Sequence, residues 1–476
     1  MNHVVSRQSP GRTLSDLPGP KGLLLLGNML QLDLKHLHLT LEQWSDVHGP
    51  LYKFKIANKR VVAVSDPDLM NEILRQRPET YRRLRNIEPV FKEMGINGVF
   101  SAEGDHWKRQ RRLTNQALNA AHLRNFFTTL VAITERLKKR WERMSKYGEA
   151  IDIQKDLMRY TVDITTCLTF GYDGNTLEEE GDVIQQHLEK IFPKINQRIN
   201  MPFPYWHFFK RPADHALDHA LKAIRQTIEK IIADCQARMA QNPDLAIHPR
   251  NFLEAMLAAR ETEDSGFTDD DIFGNILTML LAGEDTTSNT MAWMIYFMTE
   301  YPDIQKRMQK ECDVLLGSAS MLSKIEEAVA LPYIEAVAHE ALRLKSVAPL
   351  LAMETMEEVE LKGHWMPAGT PLFLLTRQGA LQDESFTAAS QFQPERWLPA
   401  HAPINQAHNK NAFLPFGAGP RFCPGRNLAL LETKTVMAML CRNFHITKAK
   451  GSVEVKEQFA FTMNPSKLYI HFNSRV

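Results

Sequence analysis

What this chain lacks narrows its class before any motif is read. Its early apolar run, Leu23 to Leu26, is four residues between glycines, far short of the roughly 20 that a bilayer span needs. The longer run Ile272 to Met298 is interrupted by Glu284, Asp285 and Asn289. A charged pair in mid-span is costly in lipid, so this run reads as a buried helix and no membrane span is expected. Cysteine is sparse: Cys167, Cys235, Cys312, Cys423 and Cys441 form an odd set without paired spacing. That argues against a disulfide framework, and the absence of CxxC or a Cys/His cluster argues against a zinc site. With no secretory leader read, the expected compartment is the reducing cytoplasm. An excess of one charge is also missing. The formal net charge of +1 gives no global attraction to nucleic acid or to an anionic membrane, and nucleic acid is not expected as a partner.

What is present is an ordinary globular balance, 44% hydrophobic and 24% charged, which can bury a large core. Length alone would suggest about three domains of roughly 150 residues. No Pro/Gly/Ser-rich linker, repeat or low-complexity tract divides the chain, so we expect a flexible segment 1–16 followed by a single domain over 17–476, a monomer.

Leu51 to Val64 alternates around a turn signal at Asn58-Lys59 and predicts a hairpin. Ser65-Asp66-Pro67 caps a following helix. Helical periodicity runs over about 103–147, 152–200, 213–241, 269–300, 302–316 and 332–345. Glu354 to Leu375 reads as short strands around Gly363 and Pro367-Ala368-Gly369. Val453 to Phe472 reads as a final hairpin with its turn near Asn464-Pro465. The fold class is therefore mainly α with small β-sheets at the two ends, α+β.

The most specific stretch is Phe416-Gly417-Ala418-Gly419-Pro420-Arg421-Phe422-Cys423-Pro424-Gly425. It places a cysteine at the mouth of a helix, with Pro424 suited to the first helical position. Unpaired N–H groups and the helix dipole there favour a thiolate. The glycines allow close backbone approach to the sulfur and leave room for a flat cofactor. Phe416 can shield the sulfur, and Arg421 offers a cation. A buried structural cysteine in a glycine-rich turn is the plainer alternative.

Inside the apolar helix, Ala282-Gly283-Glu284-Asp285-Thr286-Thr287 forms a polar notch. Met279, Ala282, Gly283, Thr286 and Thr290 share a face, shallow enough for a cofactor or dioxygen. Gly283 costs about 1 kcal/mol relative to alanine, and Thr286 can bond back to the carbonyl of Ala282 and bend the helix. A buried helix with a few capped polar groups would look similar. Glu340 and Arg343 lie three residues apart on one helix face, upstream of Pro394-Glu395-Arg396-Trp397. Trp107 and Arg111 lie one turn apart in a basic cluster with Lys108, Arg109 and Arg112. The bland readings are an exposed ion pair and a solvated basic helix.

Together these segments resemble the cytochrome P450 family, from Leu17-Pro18-Gly19-Pro20 to the final hairpin. The cysteine loop fills each fixed position of that family's haem-binding signature: Phe416, Gly419, Arg421, Cys423 and Gly425. The resemblance implies a cytochrome P450 fold, with haem b between the long central helix and the cysteine loop. It makes Cys423 the iron ligand and places Trp107, Arg111 and Arg421 at haem propionates, with Ala282, Gly283, Phe416 and Gly425 around the cofactor. Asp285 and Thr286 become an acid-alcohol pair for proton delivery. Glu340, Arg343 and Arg396 become a buried scaffold network. One departure is Met353, which stands near where the family often has a further propionate-binding arginine.

The function implied is monooxygenation: one oxygen atom from O2 enters a lipophilic small molecule. By family position the substrate is lined by Met279, Leu280, Leu350, Leu351, Ala352, Phe461, Thr462 and Met463, and by the loop Arg82 to Phe100. Cys423 lies close to the end of the chain, so no fused reductase is read. Electrons are expected from a ferredoxin or flavodoxin with an NAD(P)H-dependent reductase, docking on Lys108, Arg109 and Arg112. A haem-thiolate peroxygenase or isomerase is the nearer alternative, though such members usually lose the acid-alcohol pair. A non-catalytic haem sensor or carrier is the other. The aromatic segment Met201 to Phe209 is either helix-junction packing or a lid over an access channel.

Overall fold

A computed structural model describes residues 12–178, 191, 194–195, 197–199, 201, 203–261, 266–399, 408–449, 451 and 453–475. The chain divides into two compact units. The smaller draws on Met1–Arg85, Ala348–Ser390 and Ala407–Phe422, the larger on Asn86–Val347, Gln391–Gln406 and Cys423–Val476. Of the segment 1–16, residues 1–11 lie outside the described residues. Arg12–Thr13 form a short strand parallel to His364–Met366, and a turn of 3-10 helix follows at Leu14–Asp16.

The smaller unit is built on a five-stranded sheet in the order Leu51–Ile56, Lys59–Val64, Pro371–Leu375, Leu350–Thr355, Tyr81–Arg83. The first two strands make the expected hairpin, with Leu51 opposite Val64 and Ile56 opposite Lys59. Its turn residues are Ala57 and Asn58, not Asn58-Lys59: Lys59 is already in the strand, and Ala57 carries the positive φ of 53°. The helix Pro67–Arg75 starts as expected, with the Asp66 carboxylate accepting the Leu69 N–H at 2.8 Å. That helix lays Leu69, Met70, Ile73 and Leu74 into an apolar cluster with Val62, Val64, Leu372 and Leu374. Glu42 and Arg377 form a buried bidentate pair at 2.7–3.0 Å.

The larger unit is helical. Its longest helix, Asp269–Glu300, begins with a reciprocal cap in which Thr268 and Asp271 satisfy each other's backbone N–H. Three aspartates in its first turn complement the helix dipole. It packs most extensively on the helix Ile153–Phe170. That neighbour ends where Gly171 turns left-handed, φ 67°, so the predicted span 152–200 is interrupted there; residues 191, 194–195 and 197–199 are again helical. Residues 179–190, 192–193, 196 and 200 of the span lie outside the described ones. The span 103–147 is two helices, Gly104–Ala117 and Ala120–Tyr147, because Asn119 caps the second through the His122 N–H at 3.0 Å. The helices Pro212–Gln241, Pro302–Leu316 and Pro332–Leu344 stand close to their expected limits.

The tail departs from expectation. Asn464-Pro465 lie within the strand Met463–Pro465, paired to Glu457–Phe459, so the turn is Ala460 to Thr462. The last strand, Tyr469–Ser474, pairs instead with Phe444–Lys448 and Ile151–Asp152. Helices predominate with small sheets, as the sequence predicts. Among the described residues no helix is long and apolar enough to cross a membrane.

Candidate functional site

The cysteine loop is shared between the units: Phe416 to Phe422 belong to the smaller and Cys423 onward to the larger. In the larger unit the helix starts at Arg426 with Gly425 as its cap, so Pro424 precedes the helix instead of opening it. Burial pushes the Cys423 thiol pKa up. The Gly425 N–H, the positive charge of Arg111 and the Arg426 N–H oppose that rise. These influences act on the sulfur as the thiolate requires, since each stabilises negative charge. A β-carbon added at Gly425 would lie 3.9 Å from the sulfur.

In the smaller unit, Gly419 serves a different purpose from the one read in the sequence. Its φ is 68°, and a β-carbon there would stand 2.4 Å from the Leu74 carbonyl oxygen. It is glycine because the loop crosses the end of the helix Pro67–Arg75. The Phe416 and Phe422 rings lie 6.5 Å apart, tilted at 49°. Arg421 closes the 3-10 turn Gly419–Arg421 and is half-buried.

Trp107 and Arg111 project from Gly104–Ala117. Trp107 is buried with Val99 and Ala102, and Arg111 is half-buried. Lost hydration lowers the Arg111 pKa, and the nearby Cys423 raises it back. Lys108, Arg109 and Arg112 are exposed, as expected.

On the long helix the Thr286 hydroxyl donates to the Ala282 carbonyl at 2.7 Å, and Thr290 donates to Thr286 at 2.8 Å. Burial pushes the Asp285 carboxyl up to about 6, opposed by a bond from the Thr462 hydroxyl. That bond is 3.2 Å long. Gly283 is small for a reason other than a shallow cofactor face: an added β-carbon would meet Thr165 Oγ1 at 2.6 Å. Its smallness serves helix packing, where Thr161 also donates to the Glu284 carbonyl at 2.9 Å.

Glu340, Arg343 and Arg396 form the expected buried network. Arg343 donates to both Glu340 oxygens at 2.9 and 2.8 Å, and Arg396 Nε donates at 3.0 Å. Sequence reasoning missed the Gln393 N–H and the Trp397 indole N–H, each 2.9 Å from Glu340. The bland reading of this pair as an exposed ion pair is excluded, because both side chains are wholly buried.

Of the substrate-lining candidates, Leu280 and Met463 are enclosed and Met279 nearly so, while Phe461 is half-buried beside Phe100, ring centroids 5.8 Å apart. Leu350, Leu351 and Ala352 are half-buried in the smaller unit. Met353 points into that unit's apolar cluster. Next to it Glu354 engages Arg82 at 2.7 Å and Arg85 at 3.1 Å. In the aromatic segment Pro202 lies outside the described residues. Tyr205 and Trp206 are packing residues: the Tyr205 hydroxyl reaches Asp214 at 3.3 Å and the Trp206 indole reaches Glu93 at 2.9 Å.

Comparison with known proteins agrees with this chemistry. The family model Cytochrome P450 matches residues 17–472. The chain is 28% identical to cytochrome P450 2K1 of Oncorhynchus mykiss over 483 residues, covering 96% of this chain and 92% of that one. It is 27% identical to Protein LUTEIN DEFICIENT 5, chloroplastic, of Arabidopsis thaliana over 432 residues, 88% of this chain and 71% of that one. A third relative, the self-sufficient cytochrome P450 monooxygenase CYP505E5 of Aspergillus niger, is 27% identical, and this chain spans 42% of its length. The chain belongs to the cytochrome P450 family. It is a haem-thiolate monooxygenase that uses haem b, dioxygen, an organic substrate and a reductase partner.

Proposed function

We propose that Cys423 is the sulfur ligand of the haem iron and that Asp285 and Thr286 manage the protons of the reaction. The observation that carries this reading is the setting of Cys423, whose sulfur is served by the N–H groups of Gly425 and Arg426 and by the charge of Arg111. When bound, the haem supplies dioxygen activation and transfer of one oxygen atom to the substrate. The thiolate contributes electron density to that chemistry. Trp107, Arg111 and Arg421 offer the donors for the propionates. Asp285, with its carboxyl near 6, is able to hold a proton at neutral pH and to release it, as a general acid must. Thr286 is the neighbouring alcohol.

The substrate class is lipophilic, in keeping with Met279, Leu280, Phe461 and the strand Leu350 to Ala352. The electron donor is a separate acidic ferredoxin or flavodoxin, drawn to the exposed Lys108, Arg109 and Arg112. We place the protein in the cytoplasm as a monomer. The test is the spectrum of the reduced, carbon monoxide-bound protein: a strongly red-shifted Soret band, lost in Cys423→Ala, is expected. A band of histidine type in the wild-type protein would remove the assignment of Cys423.

A further inference from the structure

Asp285 stands at the end of a directed chain of hydrogen bonds. Gln154 donates its amide N–H to Asn289 Oδ1 at 2.9 Å. Asn289 donates Nδ2–H to Thr462 Oγ1 at 3.1 Å. Thr462 donates to Asp285 Oδ2 at 3.2 Å. An amide nitrogen only donates, which sets the direction of the first two bonds. Thr462 is buried, and among the described bonds Asp285 Oδ2 is the one acceptor for its proton. Amides do not relay protons, so this chain braces the acid and does not feed it. We propose that Gln154, Asn289 and Thr462 are positioning residues that pin Oδ2, so that Asp285 carries and releases its proton at Oδ1. This rests on the reading of Asp285 as the acid.

The test uses the holoenzyme with ferredoxin, ferredoxin reductase and a 7-alkoxycoumarin that the wild type dealkylates. Thr462→Val is expected to lower product per NAD(P)H by about fivefold, the worth of one hydrogen bond, with a matching rise in hydrogen peroxide. Asn289→Leu should follow in the same direction with probe affinity within twofold, and Thr462→Ser should restore coupling. Unchanged coupling in Thr462→Val overturns the brace. So does a loss that tracks probe affinity or is not rescued by serine, since either describes a lining residue. If Asp285→Asn itself leaves coupling unchanged, the acid assignment fails instead.

Discussion

Two carboxylates in the larger unit, Glu340 buried and Asp285 half-buried, are treated in opposite ways. Glu340 accepts from two arginines, an indole and a backbone N–H. Asp285 accepts one bond from a hydroxyl and is pushed up to about 6 by burial. Glu340 is the counter-charge of two buried guanidiniums. Asp285 is left with the option of a proton. Partner count and partner charge, together with burial, distinguish the two carboxylates.

The largest expected effect breaks the scaffold side. Glu340→Gln leaves Arg343 and Arg396 buried without their counter-charge, and we expect a loss of about 3–5 kcal/mol in thermal or denaturant unfolding. Asp285→Asn should do the reverse, lowering turnover by about 100-fold while leaving the unfolding midpoint at neutral pH no lower than that of the wild type. A matching fall in stability would erase the distinction.

Glu432 extends the comparison to a third case. Burial pushes its carboxyl up to about 8. A folded-state pKa above the unfolded value means that the folded protein binds more protons between about 4.5 and 8, so stability falls as pH rises through that window. Glu432→Gln should flatten this decline, with its greatest relative gain above pH 8, measured as the unfolding midpoint at pH 6 and 9. The same sign applies to Asp285 over the narrower window from the ordinary carboxylate range to about 6. The smallest effect belongs to the exposed pair Lys108–Asp105, 3.3 Å. Lys108→Ala should change stability by less than about 0.5 kcal/mol while slowing reduction by an acidic electron donor at low salt.

Legibility in the sequence followed locality. The helix Asp269–Glu300 was readable because capping and apolar periodicity are local properties. So was the Asp66-Pro67 start, and so was the Thr286 bond to the fourth residue before it. Glu340 and Arg343 were readable as a pair through their spacing, but Gln393 and Trp397 were not, since nothing in a tryptophan 57 residues away announces its indole partner. Gly283 and Gly419 stand out in the sequence, but their neighbours do not. A glycine signals that something approaches closely, and only the fold identifies Thr165 and the Leu74 carbonyl as what approaches. Asn464-Pro465 favours a turn by its composition, yet pairing with Glu457–Phe459 holds it in a strand.

The amino-acid order by itself determined the family and singled out Cys423, Asp285 and Thr286 as candidates, because these are contiguous patterns whose chemistry depends on neighbours a few residues apart. Tertiary structure alone decided that Thr462 meets Asp285 and that Gln154 braces Asn289. It also decided that Met353 sits among apolar side chains and that Leu24 and Leu25 stand in solvent. Those outcomes depend on which distant segments share a surface, and burial and hydrogen-bond direction exist only once they do.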